Sequence, residues 1–359
     1  DKVRKVLITG GTGYIGTAIV PKLARLYPVR VYCSMHFGNA IAWVPNVEFI
    51  KGDIRDAIAL KQALEGVTDV IHLAGIVTDE LAAMNPALAR EINIGGMQTL
   101  LNLCEDAGVE RFIYASSSGV YGSQHFDEAA TEESFCVPES AYMQTKLDGE
   151  TLLWKSKLTG VAVRSATCCG PAPRMRLDTI VNAFSKQAFF DGVIRVNGGD
   201  QWRSNVHVQD IAELYRRLLD MPERLIRNQV YNATCENATA SAIAEMVQSV
   251  IPCTVDIDPS KPDSRHYRMN ATKACYELGW VPKRTIVKAI EDNRAFFEAG
   301  GITNPNDDLF YNTKRMQHLM GPIEIRQRAD LPAPTGYLEV STIADLNKDE
   351  KVYIKAVTF

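Results

Sequence analysis

A tyrosine and a lysine four residues apart have the types and spacing to do acid–base chemistry. Tyr142 and Lys146 form the pattern Y-x-x-x-K, and of the 13 tyrosines only Tyr142 has a lysine at this spacing. On a helix, residues i and i+4 lie on one face. An ammonium beside a phenol stabilises the phenolate, so the pair predicts a tyrosine with a lowered pKa that removes a proton from a substrate hydroxyl.

Three consecutive serines lie where a predicted strand ends. Ser116, Ser117 and Ser118 close the β-rich run that begins at Arg111. Carboxyl ends of parallel strands form the ligand-binding edge of an α/β sheet, so a hydroxyl here could donate to the same substrate oxygen. Asn93, on a predicted long helix, is a further polar group for this site. The alternative is that its amide only makes a hydrogen bond within its own helix.

A glycine-rich turn near the start of the chain has the spacing that binds phosphate. Gly10, Gly13 and Gly16 span the turn that joins the β-rich run Val6–Thr9 to the helix-like run Ile15–Arg25. Glycines allow a tight turn and close approach of the backbone to a pyrophosphate, and the following helix N-terminus presents free N–H groups. Because the strand and the helix that the pattern requires are both there, we expect a dinucleotide to bind here.

The second predicted strand, Val29–Cys33, lacks the acidic residue that often follows it and holds the ribose of NAD. Ser34 takes that place instead. Arg30 and His36 are the nearest positive charges for the 2′-phosphate of NADP. We therefore expect NAD or NADP as the cofactor, with the choice between them open.

Asp53 and Ile54 follow the third predicted strand, where the adenine ring of a dinucleotide would lie. The Asp53 carboxylate could accept a hydrogen bond from the adenine amino group, and the Ile54 N–H could donate to a ring nitrogen. The alternative is that Asp53 caps the following helix. Small residues after the fourth predicted strand leave room for the nicotinamide, whose positive ring adds to the Lys146 charge in the expected lowering of the Tyr142 pKa. The other residues expected to contact the cofactor are Tyr14, Ile15, Leu73, Ala74 and Gly75.

The elements that must position these groups alternate between strand and helix as far as Val161–Ala166. This alternation predicts an α/β fold with a Rossmann-type doubly wound parallel sheet. The rhythm breaks near Gly170. We therefore expect a dinucleotide-binding domain at 1–169 and a smaller α/β substrate-binding lobe at 170–300, which could exchange elements with the first. Residues 301–359 form a C-terminal extension of unknown role.

Composition places the chain among ordinary globular enzymes. Its 359 residues are 46% hydrophobic and 23% charged, with a formal net charge of −4. No basic run supports nucleic acid as a partner, and no apolar run reaches the ~20 residues of a membrane helix. The eight cysteines form no C-x-x-C pair and the six histidines show no metal-ligand spacing. We expect reduced thiols, a cytoplasmic location and no metal site.

In this order and spacing, the motifs resemble the extended short-chain dehydrogenase/reductase family, and within it the nucleotide-sugar epimerase/dehydratase branch. The resemblance extends from Val3 to about Gly300. It rests on the turn at 9–16, the segments 53–54 and 72–75, Asn93, the segment 116–122, and Tyr142 with Lys146. It implies that Tyr142 and Lys146 are catalytic and that Lys146 also contacts the nicotinamide ribose.

Later segments resemble the substrate-binding motifs of that branch. Residues 203–210 are similar to its R-x-x-x-H-V-x-D segment, whose arginine meets the substrate diphosphate; this implies that role for Arg203. A second phosphate contact is implied at Arg265, and Asn182 lies on the helix that usually contacts the diphosphate. A guanidinium fork suits a diphosphate, and the clustered arginines argue together for an anionic substrate, although each alone is more often a surface ion pair. They are Arg174, Arg176, Arg203, Arg265 and Arg268.

Departures from the branch restrict the reaction. Its 4,6-dehydratases carry an Asp-Glu pair after the catalytic hydroxyl residue, and its decarboxylases carry an acid at the second place; this chain has Ser118 and Gly119 there. We therefore expect neither dehydration nor decarboxylation. The same alignment implies Ser117 as the catalytic hydroxyl. Thr167 replaces an asparagine that is common after the sixth strand, and we expect Thr167 and Ser118 to contact the substrate.

The resulting prediction is an NAD(P)-dependent epimerase of carbohydrate biosynthesis that acts on a nucleotide-diphosphate sugar through a transient ketone at C4. The alternative is an NADP-dependent reductase of a keto-sugar nucleotide, which the missing acid near Ser34 favours. The intact set of Ser117, Tyr142 and Lys146 argues against a binding protein without turnover, and a steroid-type dehydrogenase should lack the arginines. By resemblance, the predicted helices at 87–107 and 141–158 pair two copies into a homodimer.

Overall fold

A seven-stranded sheet forms the centre of the molecule. The computed structural model describes residues 3–123, 128–261, 263 and 265–320, and the backbone of three further short strands. In chain order the strands are β1 (Val6–Thr9), β2 (Val29–Cys33), β3 (Val47–Lys51), β4 (Asp69–His72), β5 (Arg111–Ser117), β6 (Thr159–Ser165), β7 (Thr167–Cys169), β8 (Val193–Asn197), β9 (Trp202–His207), β10 (Gln229–Ala233), β11 (Glu236–Thr239), β12 (Thr254–Asp258), β13 (Arg326–Arg328), β14 (Tyr337–Val340) and β15 (Lys351–Lys355). The large sheet has the order β10-β6-β5-β4-β1-β2-β3, and every neighbouring pair is parallel, as predicted.

Helices connect these strands. They are α1 (Tyr14–Leu23), α2 (Ala57–Ala63), α3 (Asp79–Met84), α4 (Pro86–Arg90), α5 (Met97–Ala107), α6 (Ala141–Lys155), α7 (Ile180–Lys186), α8 (Val208–Asp220), α9 (Ala240–Val250), α10 (Thr272–Leu278), α11 (Ile286–Glu298) and α12 (Asn312–Met320). Short polar side chains fix where several begin: Ser140 accepts a hydrogen bond from the Met143 N–H at the start of α6, for example. Within the described part of the chain, the helices fall short of the length and apolarity needed to cross a bilayer.

Two apolar layers cover the faces of the sheet. On one face α1 and α8 bury Ile19 and Leu214. On the other face α2, α5 and α6 bury Leu60, Leu101 and Leu153. Each such side chain contributes about 1.5–3 kcal/mol when fully buried. The packed layers hold the strand ends, and the loops that follow them, in fixed positions along one edge.

A smaller lobe covers that edge. Strands β7, β9 and β11 form a three-stranded sheet, and β8 pairs with β12. Helices α7, α9 and α11 pack together, and the core of this lobe includes Ile194, Ile243 and Ile290. Strand β10 follows position 170 in the chain but pairs with β6 in the large sheet, so the chain returns to the first layer.

Two helical regions differ from the sequence-based prediction. The long helix expected at 87–107 consists of α4, a π-helical segment at Glu91–Gly96, and α5. Helix α12 was not predicted at all. Its Met316 is buried in a cluster with Leu81 of α3. Part of the C-terminal extension therefore lies against the body of the molecule, where a sheet-edge cavity opens.

Candidate active site

A cavity of about 800 Å³ lies between the carboxyl edge of the large sheet and the smaller lobe. Most of the predicted site residues are on its wall, although they come from distant parts of the sequence. They are Gly10, Gly13, Tyr14, Ile15, Gly16, Ser34, Asp53, Ile54, Leu73, Ala74, Gly75, Ser117, Ser118, Tyr142, Lys146, Thr167, Arg203 and Arg265. Asn93 and Asn182 are not among the wall residues.

The glycine turn has the shape that a phosphate group needs. Gly10 has a φ of +71°, and a Cβ there would lie 2.7 Å from the Ala74 nitrogen. A Cβ on Gly16 would lie 2.5 Å from the Gly11 oxygen. Helix α1 begins after Gly13 without a side-chain cap, so its first N–H groups remain available to an anion. These residues fit the diphosphate of a dinucleotide.

Asp53 lies on the wall and is held by Arg55. Its Oδ1 accepts from the Arg55 backbone N–H and Nε, both at 2.9 Å, and its Oδ2 accepts from Nη2 at 2.6 Å. Helix α2 is capped by Asp56, whose carboxylate accepts from two N–H groups of the first turn. The alternative that Asp53 caps this helix is therefore wrong.

Of the two cations expected near Ser34, only His36 lies on the cavity wall. Arg30 is buried elsewhere: its Nε donates to Glu48 at 2.7 Å and its Nη1 donates to the Ala63 carbonyl at 2.6 Å. Burial also lowers the pKa of His36. Of the residues that the sequence offers for a 2′-phosphate, Ser34 and His36 are therefore at the cavity wall and Arg30 is not.

Tyr142 and Ser117 both lie on the cavity wall, and the Ser117 hydroxyl is close enough to favour the phenolate form of Tyr142. The Lys146 amine donates to the Ala115 carbonyl at 2.8 Å and lies 5.9 Å from the centre of the Tyr142 ring. Burial raises the pKa of Tyr142 to about 12 and lowers that of Lys146 to about 8. In the protein alone, burial outweighs the effect of Ser117, which favours the phenolate. The predicted lowering of the tyrosine pKa includes the positive ring of the cofactor and stays a prediction for the loaded site.

Strand alternation decides which of the three serines can act. Ser116 points away from Ser117, and its hydroxyl donates to Glu150 at 2.5 Å. Glu150 also forms a buried ion pair with Arg164 at 2.7 Å. Ser118, which begins a 3₁₀ turn, is buried but still reaches the wall. Ser117 is thus the serine that lies beside Tyr142.

Asn93 lies behind the wall, in the π-helical segment. Its Oδ1 accepts from the Ile76 N–H at 2.7 Å, and its Nδ2 donates to the Ile76 carbonyl at 2.9 Å and to Thr145 Oγ1 at 3.0 Å. The alternative of a hydrogen bond within its own helix is wrong. Asn93 joins the loop after β4 to the turn of α6 that carries Lys146, so its place in the structure is that of a positioning residue.

Arg203 and Arg265 share one carboxylate at the other end of the cavity. Arg203 Nη2 donates to Asp263 Oδ2 at 2.7 Å, and Arg265 donates to both oxygens, at 3.0 and 2.7 Å. Burial alone would raise the pKa of Asp263, but the guanidiniums lower it to about 2. Two cations share one anion, so this group keeps a positive charge suited to a diphosphate.

Asn182 has no group left for a ligand. It is fully buried, its Oδ1 accepts from the Gly170 N–H, and its Nδ2 donates to the Tyr14 hydroxyl at 3.0 Å. The structure therefore places this residue behind the wall, although the sequence suggested a contact with substrate. Thr167 is on the wall, with its hydroxyl 3.2 Å from that of Tyr267.

Sequence reasoning missed the contribution of the C-terminal segment to the cavity. The wall includes Tyr311, Asn312, Thr313, Lys314 and Met316. Asn312 reaches Arg174 of the smaller lobe, with a distance of 2.7 Å between Arg174 Nη2 and Asn312 Oδ1. No motif marks this segment. The only sequence signal for this segment would have been a run of residues long enough to form a helix, which could then pack against the rest of the molecule.

Comparison with known sequences agrees with this geometry. The chain is 25% identical over 353 residues to dTDP-D-glucose 4,6-dehydratase of Mus musculus, covering 90% of this chain and 94% of that protein. It is 28% identical over 311 residues to UDP-glucose 4-epimerase of Lactobacillus helveticus, covering 78% and 92%. It is 31% identical over 306 residues to UDP-glucuronic acid decarboxylase 4 of Arabidopsis thaliana, covering 79% and 66%.

Solved structures share the fold. UDP-glucose 4-epimerase of Thermus thermophilus, in complex with NAD, is 26% identical with a TM-score of 0.74; the match covers 82% of this chain and 99% of that one. UDP-glucuronic acid 4-epimerase of Bacillus cereus, with UDP-glucuronic acid and NAD, is 25% identical with a TM-score of 0.74 and the same coverage. The sequence model of the NAD-dependent epimerase/dehydratase family matches residues 6–234, more than half of the chain. The chain therefore belongs to the NAD-dependent epimerase/dehydratase family, among the extended short-chain dehydrogenases/reductases.

Proposed function

We propose that this protein is an NAD(P)-dependent epimerase that inverts C4 of a nucleotide-diphosphate sugar through a transient ketone. The observation that carries the proposal is the continuity of the cavity. It joins the glycine turn at Gly10–Gly16, the Ser117–Tyr142 pair and the Arg203–Arg265 group. A dinucleotide and a nucleotide sugar held at the two ends would meet at the tyrosine.

The chemistry that a bound nicotinamide dinucleotide supplies is uptake and return of a hydride. Tyr142 accepts the proton of the sugar hydroxyl as the hydride leaves the same carbon, which yields the ketone. Ser117 donates to the sugar oxygen. Once the ketone has rotated so that its opposite face meets the cofactor, return of the hydride to that face would be accompanied by return of the proton from Tyr142, which gives the inverted alcohol. Proton and hydride are both restored, so no net oxidation occurs.

Lys146 supports this proton transfer. Its amine lies 5.9 Å from the Tyr142 ring centre, and its charge favours the phenolate. Because burial alone raises the tyrosine pKa to about 12, the positive charge of an oxidised nicotinamide is a second requirement. The tyrosine therefore becomes an effective base only when the site is loaded.

The names of the relatives include dehydratases and a decarboxylase, but the residues after Ser117 favour epimerisation. Elimination of water needs an acid and a base in addition to the tyrosine. Ser118 and Gly119 stand where an Asp-Glu pair would supply them. The Ser118 hydroxyl does not ionise near neutral pH and Gly119 has no ionisable side chain, so neither can serve as the acid or the base for elimination of water.

The second candidate is an NADP-dependent reductase of a keto-sugar nucleotide. No acidic residue follows β2, and Ser34 and His36 lie on the wall at that place. A carboxylate there would repel a 2′-phosphate, so its absence permits NADP. We further propose a cytoplasmic role in carbohydrate biosynthesis, which the eight free cysteines favour, and a homodimer formed through α5 and α6.

Proton NMR with a panel of substrates tests the proposal. Purified protein without added cofactor receives UDP-, dTDP-, GDP- and CDP-sugars in turn, and absorbance of reduced nicotinamide is followed alongside. We expect one sugar to give a new stereoisomer with no net absorbance change. Conversion only when a keto-sugar and reduced cofactor are supplied would contradict the epimerase and identify the reductase.

A further inference from the structure

Arg174 is a buried cation on the cavity wall. Arg174 is only 5% exposed, and its Nε has no hydrogen-bond partner. In the part of the chain that the structure describes, no carboxylate lies within ion-pair distance of it. Burial accordingly lowers the pKa of Arg174 to about 9. A buried charge of this kind is costly unless an anion joins it.

Three other arginines of the same wall have a carboxylate partner within the protein. Arg176, two residues along, pairs with Asp178 at 2.8 Å. Arg203 pairs with Asp263 at 2.7 Å, and Arg265 pairs with the same carboxylate. Arg174 thus differs from its neighbours, since its hydrogen bond goes to a neutral amide, that of Asn312.

The position of Arg174 indicates which anion it would meet. Its backbone N–H donates to Thr17 Oγ1, in the first turns of α1, at 3.2 Å. Its guanidinium carbon lies 3.9 Å from the centre of the Phe37 ring, in the loop that follows β2. Arg174 therefore lies between the helix that begins at the glycine turn and the loop on the adenosine side of the cavity.

Helix α12 holds this arrangement from outside. Asn312 Oδ1 accepts from Arg174 Nη2, and the Asn312 N–H donates to Asp178 at 2.8 Å. Arg315 Nε donates to the His36 carbonyl at 2.7 Å, which ties α12 to the residue before Phe37. The three groups form a roof over one end of the cavity: Phe37, Arg174 and the first turn of α12.

We propose that Arg174 binds the diphosphate of the dinucleotide from the side opposite the glycine turn, and that Asn312 holds its guanidinium in place. The inference rests on the proposed dinucleotide binding. A guanidinium is suited to a diphosphate because its N–H groups bind two oxygens at once. The diphosphate of a sugar nucleotide is the other source of the same chemistry. The contacts with Thr17 and Phe37 favour the cofactor.

Binding measurements on Arg174→Met test the assignment without turnover. Calorimetry on protein freed of nucleotide would use NAD, NADP, ADP-ribose and UDP as ligands. We expect affinity for NAD, NADP and ADP-ribose to fall together by about 10- to 100-fold, as for a lost charge-assisted contact, and affinity for UDP to stay unchanged. The matched control is Arg195→Met, which removes an exposed arginine of the same wall and should alter none of the dinucleotide affinities.

Three outcomes would overturn the inference. Unchanged NAD affinity would show that Arg174 does not contact the cofactor. A loss confined to UDP would assign it to the substrate, and a loss much larger for NADP than for NAD would assign it to the 2′-phosphate. If wild-type protein binds neither dinucleotide, the proposed function itself fails, so the two failures are distinguishable.

Two further variants separate binding from folding. Arg174→Met should leave the melting temperature of nucleotide-free protein unchanged or higher, because the charge that it removes is buried and has no described carboxylate within ion-pair distance. Asn312→Ala keeps Arg174 and should lower the affinity for NAD by about 3- to 10-fold, which is the effect of one lost hydrogen bond. Full NAD affinity in Asn312→Ala would contradict the part that the inference assigns to α12.

Discussion

In the proposed mechanism, proton transfer depends on Tyr142. Replacing it with phenylalanine removes the hydroxyl that meets Ser117 and keeps the ring. We expect Tyr142→Phe to lower kcat by about 10²- to 10⁴-fold and to leave NAD affinity within about twofold. Steady-state kinetics and calorimetry measure the two effects. Tyr276→Phe, at a tyrosine that is 85% exposed, is the control and should behave as wild type. Near-normal turnover in Tyr142→Phe would remove the tyrosine from the mechanism.

Lys146 should make stability depend on pH in the nucleotide-free protein. Burial lowers its pKa from 10.5 to about 8, so between these values the unfolded chain holds a proton that the folded chain has lost. The unfolding free energy therefore rises with pH across this window, and the cost of the buried charge is fully present below about pH 8. Urea unfolding of wild type and Lys146→Met at pH 7.5 and 9.5 measures it. The unfolding free energy of wild type, relative to that of Lys146→Met, should be higher at pH 9.5 than at pH 7.5. An equal difference between the two proteins at both pH values would contradict the lowered pKa of Lys146.

Arg203 is expected to contribute to substrate binding. Removing its side chain takes away half of the positive pair around Asp263. Because that contact lies far from the reacting carbon, Arg203→Ala should raise KM for the nucleotide sugar by about 10- to 100-fold and change kcat much less. Initial rates over a range of sugar concentrations separate the two constants. An unchanged KM would mean that the diphosphate lies elsewhere.

At the scale of elements, a buried ion pair joins α6 to the strands beneath it. Glu150 of α6 bonds to Arg164 of β6 and accepts from Ser116 of β5. Removing one partner leaves the other charge buried, so Glu150→Met should lower the free energy of unfolding by about 3–5 kcal/mol. The double variant Glu150→Met/Arg164→Met should recover most of that loss. Thermal and urea unfolding of wild type, the two single variants and the double variant gives a double-mutant cycle. If the double variant lost as much stability as the two single variants together, the two charges would not be coupled.

The elements that sequence reasoning located best are those with strong local signals. Strand β2 begins and ends where the apolar run Val29–Cys33 predicts. The glycine turn was recognisable because its strand and helix flank it directly. The π-helical segment around Asn93 was not, because it departs from α-helical spacing only through contacts with Ile76 and Thr145, which are distant in sequence.

Side-chain direction and partners were harder to predict than residue type. Ser117, chosen by the resemblance, and Tyr142, chosen by its motif, lie on the same cavity wall. That Asn182 turns away from the cavity follows from its bonds to Gly170 and Tyr14, which only the tertiary fold brings close. Burial, which sets the tyrosine pKa, is likewise a property of the folded molecule.

At the scale of the whole molecule, the C-terminal segment contributes to a site that the sequence assigns to the first three hundred residues. Residues 311–316 reach the cavity wall from α12 and the turn before it. Helix α12 reaches the wall through tertiary packing against α3, which no motif in the sequence marks.

Assembly is the remaining property at this scale, and we expect a homodimer formed through α5 and α6. In a two-fold interface each residue near the axis approaches its own copy, so added like charges repel across it. Asn102 of α5 and Thr151 of α6 are exposed in the single chain. Sedimentation equilibrium should give twice the chain mass for wild type and the single-chain mass for Asn102→Glu/Thr151→Glu. Ser249→Glu, on the exposed surface of α9, should remain dimeric, and a dimeric double variant would place the interface on another face.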